Sequence, residues 1–121
     1  RDHLYIVFGA CGNRDRTKRP IMLDVATSLS DYVIVTDYNL YGEDGNQIIE
    51  DVTKDAKRDN FKVIRDRKKA IHEGINLLKD KDVLLILGKG HEKYLDIGGK
   101  KIYFDDREVV REYITSKEVK K

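Results

Sequence analysis

Short apolar runs alternate with amphipathic stretches along the chain. Leu4-Tyr5-Ile6-Val7-Phe8 reads as a buried strand, ended by Gly9 and Gly12. Pro20 then sits where a first helical turn tolerates proline, and Met22, Val25, Ala26 and Leu29 recur at helical spacing. Tyr32 to Val35 is rich in β-branched residues and predicts a second strand. After a loop from Thr36 to Gly45, Ile48, Ile49, Val52 and Ala56 form a second helical stripe. Lys62-Val63-Ile64 predicts a short strand. Ala70, Ile71, Gly74, Ile75 and Leu78 predict a third helix, capped by Asp66.

Asp82 to Leu87 is the clearest strand, and its unbroken apolar character predicts cover on both faces. Tyr94 to Ile97 and Lys101 to Phe104 flank Gly98-Gly99, the pattern of a two-residue hairpin. Asp105 and Glu108 have capping-box spacing ahead of Val109, Val110, Tyr113 and Ile114. The charged tail, Lys117 to Lys121, is expected to fray. No repeat, low-complexity segment or internal linker interrupts this order. The expected fold is therefore α/β, a Rossmann-like doubly wound, mostly parallel sheet built from right-handed βαβ units, with a C-terminal antiparallel hairpin.

Ligands in such sheets bind beyond the carboxyl ends of the strands. Three loops meet that condition: Gly9 to Arg19, Thr36 to Asp44, and Gly88 to Glu92. At 121 residues the chain predicts one domain spanning 1–121. Its 24 Lys+Arg against 22 Asp+Glu are too evenly balanced to argue for nucleic acid. One cysteine excludes a disulfide scaffold or a cysteine-rich zinc module and fits a reducing compartment. Apolar runs such as Val83 to Leu87 are far short of the about 20 residues of a membrane span. With no signal peptide at its start, the chain is expected to be cytoplasmic, with no membrane partner.

The first loop places Arg14, Arg16, Lys18 and Arg19 ahead of a helix. Glycines admit close approach and a helix start is electropositive, so this loop could hold a phosphate or carboxylate. A solvated basic turn is the alternative. Neither GxGxxG nor GxxxxGK[ST] spacing is present. The third loop, Gly88-Lys89-Gly90-His91-Glu92, puts a carboxylate at the mouth of the sheet, where it could take an ammonium group. His91 has no adjacent nucleophile and is expected to orient its loop. Cys11 reads as a small structural residue, and His3 and His72 have no partner at metal-ligand spacing. In the middle loop, Tyr38 and Tyr41 could stack on a ligand or pack over the sheet edge. Asp44 reads as a helix start rather than as a magnesium ligand.

Together the loops resemble the carboxy-terminal domain of the Mur ligases, nearest the tripeptide-forming type, and the resemblance spans almost the whole chain. Val7-Phe8-Gly9 with Arg14-Asp15 and Lys18-Arg19-Pro20 is similar to that family's glycine loop and DRDxxKRP segment. Val33 to Thr36, Asn39 and Glu43-Asp44 resemble its second strand and specificity loop. Asp66-Arg67 with Ala70-Ile71 resembles DRxxAI. Gly88 to Glu92 with Tyr94 matches GKGHExY, and Phe104 to Glu108 matches FDDRE.

The resemblance implies an ATP-dependent amide-bond ligase of peptidoglycan synthesis, adding a diamino acid to UDP-MurNAc-L-Ala-D-Glu. ATP would phosphorylate the terminal carboxyl of that nucleotide-linked dipeptide. The diamino acid's amine would attack the acyl phosphate and release phosphate. It implies that Arg14 and Asn39 hold a carboxylate of the amino acid, and that the Gly88 carbonyl and Glu92 hold its ammonium. Tyr38, Leu40 and Tyr41 complete the implied pocket, with Asp15, Lys18, Arg19, Lys89 and His91 in support. ATP and Mg2+ would be bound mainly by a central ATPase domain, the domain's partner, and UDP by an amino-terminal one. Neither domain's motifs are in these residues, so the domain alone is expected to be inactive. Tyr38-Asn39-Leu40-Tyr41 stands where the diaminopimelate type has DNPR, which opens the specificity to a variant diamino acid or lysine. A folylpolyglutamate synthase-type domain and a stand-alone binding module for an anion or amino acid are the competing readings.

Overall fold

Parallel pairing in the computed structural model follows the apolar runs. The structure describes residues 2–10, 18–40, 43–87, 93–97 and 100–119. Its elements run β1 (Leu4–Ala10), α1 (Arg19–Leu29), β2 (Tyr32–Asp37), α2 (Gly45–Thr53), β3 (Phe61–Val63), α3 (Arg67–Leu77) and β4 (Val83–Leu87). They continue with β5 (Tyr94–Ile97), β6 (Lys100–Tyr103) and α4 (Asp106–Val119). The four-stranded sheet has order β3-β2-β1-β4 and is parallel throughout. β1 lies between β2 and β4, with Val7 opposite both Ile34 and Ile86.

Alternate residues of the central strands serve opposite faces. Ile6, Phe8, Val33 and Val35 pack against Leu23 and Ala26 of α1 and Ile48 and Val52 of α2. Val7 and Ile34 face Ala70 of α3 on the other side. Behind α3, Ile71 and Ile75 meet Val109 of α4. Helices thus cover both faces of the sheet, as a doubly wound fold requires. Pro20 lies in the first turn of α1. Asp44 caps α2 by accepting from the Asn46 N–H at 2.9 Å, and Asp66 caps α3 by accepting from the Lys69 N–H at 3.2 Å. Asp105 caps α4 through the Arg107 N–H at 2.9 Å, while the Glu108 carboxylate accepts from the Tyr103 hydroxyl rather than closing a capping box.

Several elements depart from the sequence pattern. β2 runs two residues past Val35, and β3 and β6 each lie one residue earlier than expected. α2 ends at Thr53, leaving Ala56 exposed in the following turn. α4 extends to Val119, so the charged tail as far as that residue continues the helix instead of fraying. β4 is covered on one face only. Leu84 and Ile86 pack toward α3 and α4, whereas Val83, Leu85 and Leu87 are 39–46% exposed. α1 and α2 lie over β1 and β2 and do not reach the edge strand. An apolar groove of ≈ 550 Å³ runs there, lined by Ile21, Met22, Val25, Leu29 and Leu87 among others. β5 and β6 pair antiparallel as a separate two-stranded sheet, with Tyr94 opposite Tyr103. The Gly98-Gly99 turn expected between them lies outside the described residues.

The seam between α3 and α4 holds a titratable contact. The His72 ring stacks on Tyr113 at 3.9 Å and 8°, and the Tyr113 hydroxyl donates to Asn76 at 3.0 Å. Burial, then the charge of Lys68, lowers the His72 pKa below 6.5, against a smaller opposing effect of Asp66. The unfolded chain therefore binds a proton more readily than the folded one. Stability from this site is complete above about pH 6.5 and is lost as pH falls toward the lowered folded value. His72→Phe keeps the stack and removes the titration. Thermal melts from pH 7.5 to 5.5 should show wild type losing more stability than His72→Phe; parallel curves would refute the linkage.

Candidate functional site

β1, β2 and β4 are parallel and finish at one end of the sheet, and the three loops expected to carry chemistry follow them in sequence. β2 closes with the Asp37 N–H donating to the Arg65 carbonyl at 3.3 Å, and Thr36 Oγ1 donates to that same carbonyl at 3.1 Å. Arg65 returns a two-pronged contact, Nε and Nη2 each donating to the Asp37 carboxylate at 3.1 Å, and its Nη1 donates to Asn46 Oδ1 at 2.7 Å. Donation to the Asp37 carboxylate raises the Arg65 pKa above its ordinary value. Gly45 makes room for this guanidinium, since a Cβ there would lie 1.9 Å from Arg65 Nη2.

Tyr38, Asn39 and Leu40 come next, and all three are buried, at 9%, 4% and 8% exposure. Leu40 joins the core beneath α1 and α2, and its carbonyl accepts from the Glu43 N–H at 3.0 Å. Gly9 of β1 supports this turn closely. A Cβ at Gly9 would fall 2.8 Å from Tyr38 Cβ and 2.9 Å from the Asp37 carbonyl. The glycine that ends the first apolar run is needed here because the turn after β2 presses on it.

Beside Tyr38 lies Arg67, 3% exposed, at the start of α3. Its Nε and Nη2 donate to the two carboxylate oxygens of Asp106 at 2.8 and 2.7 Å. Nη1 also donates to the Asp37 carbonyl at 3.2 Å, and Nη2 to the Leu87 carbonyl at 3.3 Å. The guanidinium carbon is 5.9 Å from the Tyr38 ring centroid. One buried cation thus joins the ends of β2 and β4 to the first turn of α4.

Asp66-Arg67 and Phe104 to Glu108 read as separate motifs in the sequence, and the Arg67–Asp106 pair joins them in the fold. An arginine next to a helix cap, matched by an acidic pair at another helix start, was the available signal. Arg19, named above as a supporting residue, is 2% exposed and turned inward. Its Nη1 donates to Glu43 at 2.6 Å and Asp51 at 2.9 Å, and its Nη2 donates to Glu43 at 3.0 Å. Donation to the Glu43 carboxylate raises its pKa, against the effect of burial. Lys18 is exposed, at the start of α1, and borders the apolar groove. Arg14, Asp15, Tyr41, Gly88, Lys89, His91 and Glu92 lie outside the described residues, as does Cys11. Among the described residues no cluster of histidine, cysteine or carboxylate groups is suited to a metal, and no helix is long and apolar enough to cross a membrane.

A family model described as the Mur ligase, glutamate ligase domain matches residues 1–90. The chain belongs to that family. Among similar curated proteins is UDP-N-acetylmuramoyl-L-alanyl-D-glutamate--2,6-diaminopimelate ligase 1 of Clostridium acetobutylicum, 41% identical over 94% of this chain and 24% of that protein. The 2,6-diaminopimelate ligase of Bacillus cereus is 46% identical over 94% of this chain and 23% of its own length. That of Rickettsia bellii is 52% identical over 88% of this chain and 22% of its own. A solved structure of a UDP-N-acetylmuramoyl-L-alanyl-D-glutamate--2,6-diaminopimelate ligase superposes with a TM-score of 0.93 at 36% identity, covering 98% of this chain and 25% of that one. The chain therefore spans about a quarter of the length of these relatives.

The inward geometry of Arg19 makes a structural prediction. Arg19→Leu leaves Glu43 and Asp51 without their shared cation, and breaking a buried pair in this way costs about 3–5 kcal/mol. Urea melts should show a loss of that size. A loss under about 1 kcal/mol would mean that the pairing contributes little to the fold.

Proposed function

We propose that this domain holds the incoming amino acid in an ATP-dependent ligase that joins a diamino acid to UDP-MurNAc-L-Ala-D-Glu during peptidoglycan synthesis in the cytoplasm. The observation that carries this reading is the position of Asn39. It is buried two residues beyond the carboxyl end of β2, at the end of the sheet where β1 and β4 also finish, in a chain 41–52% identical to 2,6-diaminopimelate ligases. A buried amide at that depth suits a ligand carboxylate, because it offers a directed donor without a second full charge. Arg14 on the preceding loop would supply the opposite charge for that carboxylate. Glu92 and the Gly88 carbonyl, on the loop after β4, would receive the ammonium group. A cation and a carboxylate on neighbouring loops are complementary to a zwitterion.

In this reading the chain's own residues bind and orient the amino acid while its other amine attacks the acyl phosphate. Attack forms the amide bond and expels phosphate. The sequence has no phosphate-cradling glycine-lysine loop, and the described residues present no cluster for Mg2+. ATP and Mg2+ are accordingly assigned to a central domain of the ligase, and the UDP moiety to an amino-terminal one. Tyr41 favours a specific refinement: with tyrosine in place of the arginine of DNPR, the distal carboxylate of diaminopimelate loses a charged partner. The added amino acid is then open to diaminopimelate, a related diamino acid or lysine.

Steady-state kinetics of the ligase carrying this domain test both parts. Arg14→Ala, Asn39→Ala and Glu92→Ala each remove a contact to a charged group worth about 1.5–3 kcal/mol, so KM for the amino acid should rise roughly ten- to a hundredfold. KM for ATP should move far less. Unchanged amino-acid kinetics in all three variants would refute the pocket. Tyr41→Arg should shift preference toward diaminopimelate over lysine, and an unmoved preference would refute the specificity argument alone.

A further inference from the structure

We propose that Arg67 is a positioning residue that sets the spacing between the two loops receiving opposite ends of the amino acid. The inference rests on the reading of those loops given above and extends it to a residue that touches no substrate. The Asp37 and Leu87 carbonyls are the last of β2 and β4, and these strands are not neighbours, since β1 lies between them. Sheet hydrogen bonding therefore does not tie one carbonyl directly to the other. The Arg67 guanidinium does, at 3.2 Å from one and 3.3 Å from the other. Tyr38 and Asn39 follow the first carbonyl directly, and Gly88 follows the second.

The chemistry of the guanidinium suits this task. A planar fork can present one edge to the Asp106 carboxylate and still have N–H groups for acceptors in other directions. Asp106 neutralises the charge and fixes the plane through two bonds of 2.8 and 2.7 Å. Tyr38 closes against the group at 5.9 Å, and the burial of Arg67 keeps water from replacing either carbonyl contact. A lysine would retain the charge opposite Asp106 but lacks the fork that reaches both strands. Asp106 lies beyond the residues matched by the family model, so the second half of the device sits in the last quarter of the chain.

The test compares Arg67→Lys and Asp106→Asn with Asn39→Ala. Hydrogen exchange on the 121-residue chain should show at least tenfold faster exchange in peptides 36–41 and 86–92 of Arg67→Lys, with the α2 and β3 peptides unchanged. In the ligase, KM for the diamino acid should rise at least tenfold, with kcat at saturating amino acid within about threefold and KM for ATP unmoved. Asp106→Asn keeps the fork's partner in shape and should give a smaller rise. Unchanged exchange in both peptides would overturn the proposal, as would faster exchange without a change in KM while Asn39→Ala raises KM. If Asn39→Ala also leaves KM unmoved, the amino-acid reading falls with it. Uniformly faster exchange throughout Arg67→Lys would show a global stability role and overturn the proposal as well.

Discussion

A positive charge with almost no access to water has to be matched on every side, and Arg67 is where this fold meets that demand. Removing a guanidinium from solvent costs several kcal/mol unless geometry and hydrogen bonding compensate. Here a carboxylate, two main-chain carbonyls and an aromatic ring surround it. None of the three polar groups comes from α3, the helix that carries the arginine. The contact therefore holds only when β2, β4 and α4 are all in place. A local helix start becomes a checkpoint for the whole carboxyl end of the sheet.

The same end of the sheet is crowded by design of its backbone. Gly9 brings β1 against the turn after β2, and Asp37 is gripped by Arg65 through its side chain while Arg67 takes its carbonyl. Leu40 and Arg19 draw the following residues back into the core from the other side. Asn39 sits between these two sets of restraints. Its neighbours on either side are immobilised by packing, which is the condition under which a single amide can select a ligand orientation.

The hydrophobic pattern made the strands, the helices and the two-faced sheet legible, because period-2 and period-3.6 burial leave direct traces in sequence. Asp44, Asp66 and Asp105 were legible as caps because capping is local chemistry. Arg19 and Arg67 were not, since their partners lie 20 to 39 residues away and no local rule names them. Arg19 read as part of a basic loop, yet the carboxylates that claim it, Glu43 and Asp51, come from the segment after β2. Ala56 continued the stripe of α2 on paper, but the helix ends at Thr53 and the turn after it leaves Ala56 in solvent. Tyr38, Asn39 and Leu40 enter the implied pocket through the resemblance of residues 38–41 to DNPR, and their burial after a central strand follows from topology more than from pairwise contacts.

The half-bare strand β4 carries a consequence for how the sheet finds its alignment. Val83-Leu84-Leu85-Ile86-Leu87 has no polar residue to distinguish its faces, so sliding it one step along β1 would exchange the faces at little hydrophobic cost. Alignment has to be enforced at the strand's ends. At the amino end, Asp82 accepts from the His3 and Lys79 N–H groups at 3.1 and 2.9 Å, and the Asp2 N–H reaches the Lys81 carbonyl at 3.1 Å. Lys81 there adopts φ 71, a left-handed corner that fixes where the strand begins. At the carboxyl end only one described carbonyl is held from across the sheet, that of Leu87 by Arg67. β4 behaves as a greased rail between two stops, and a chain that had lost either stop would retain its core composition while losing its frame.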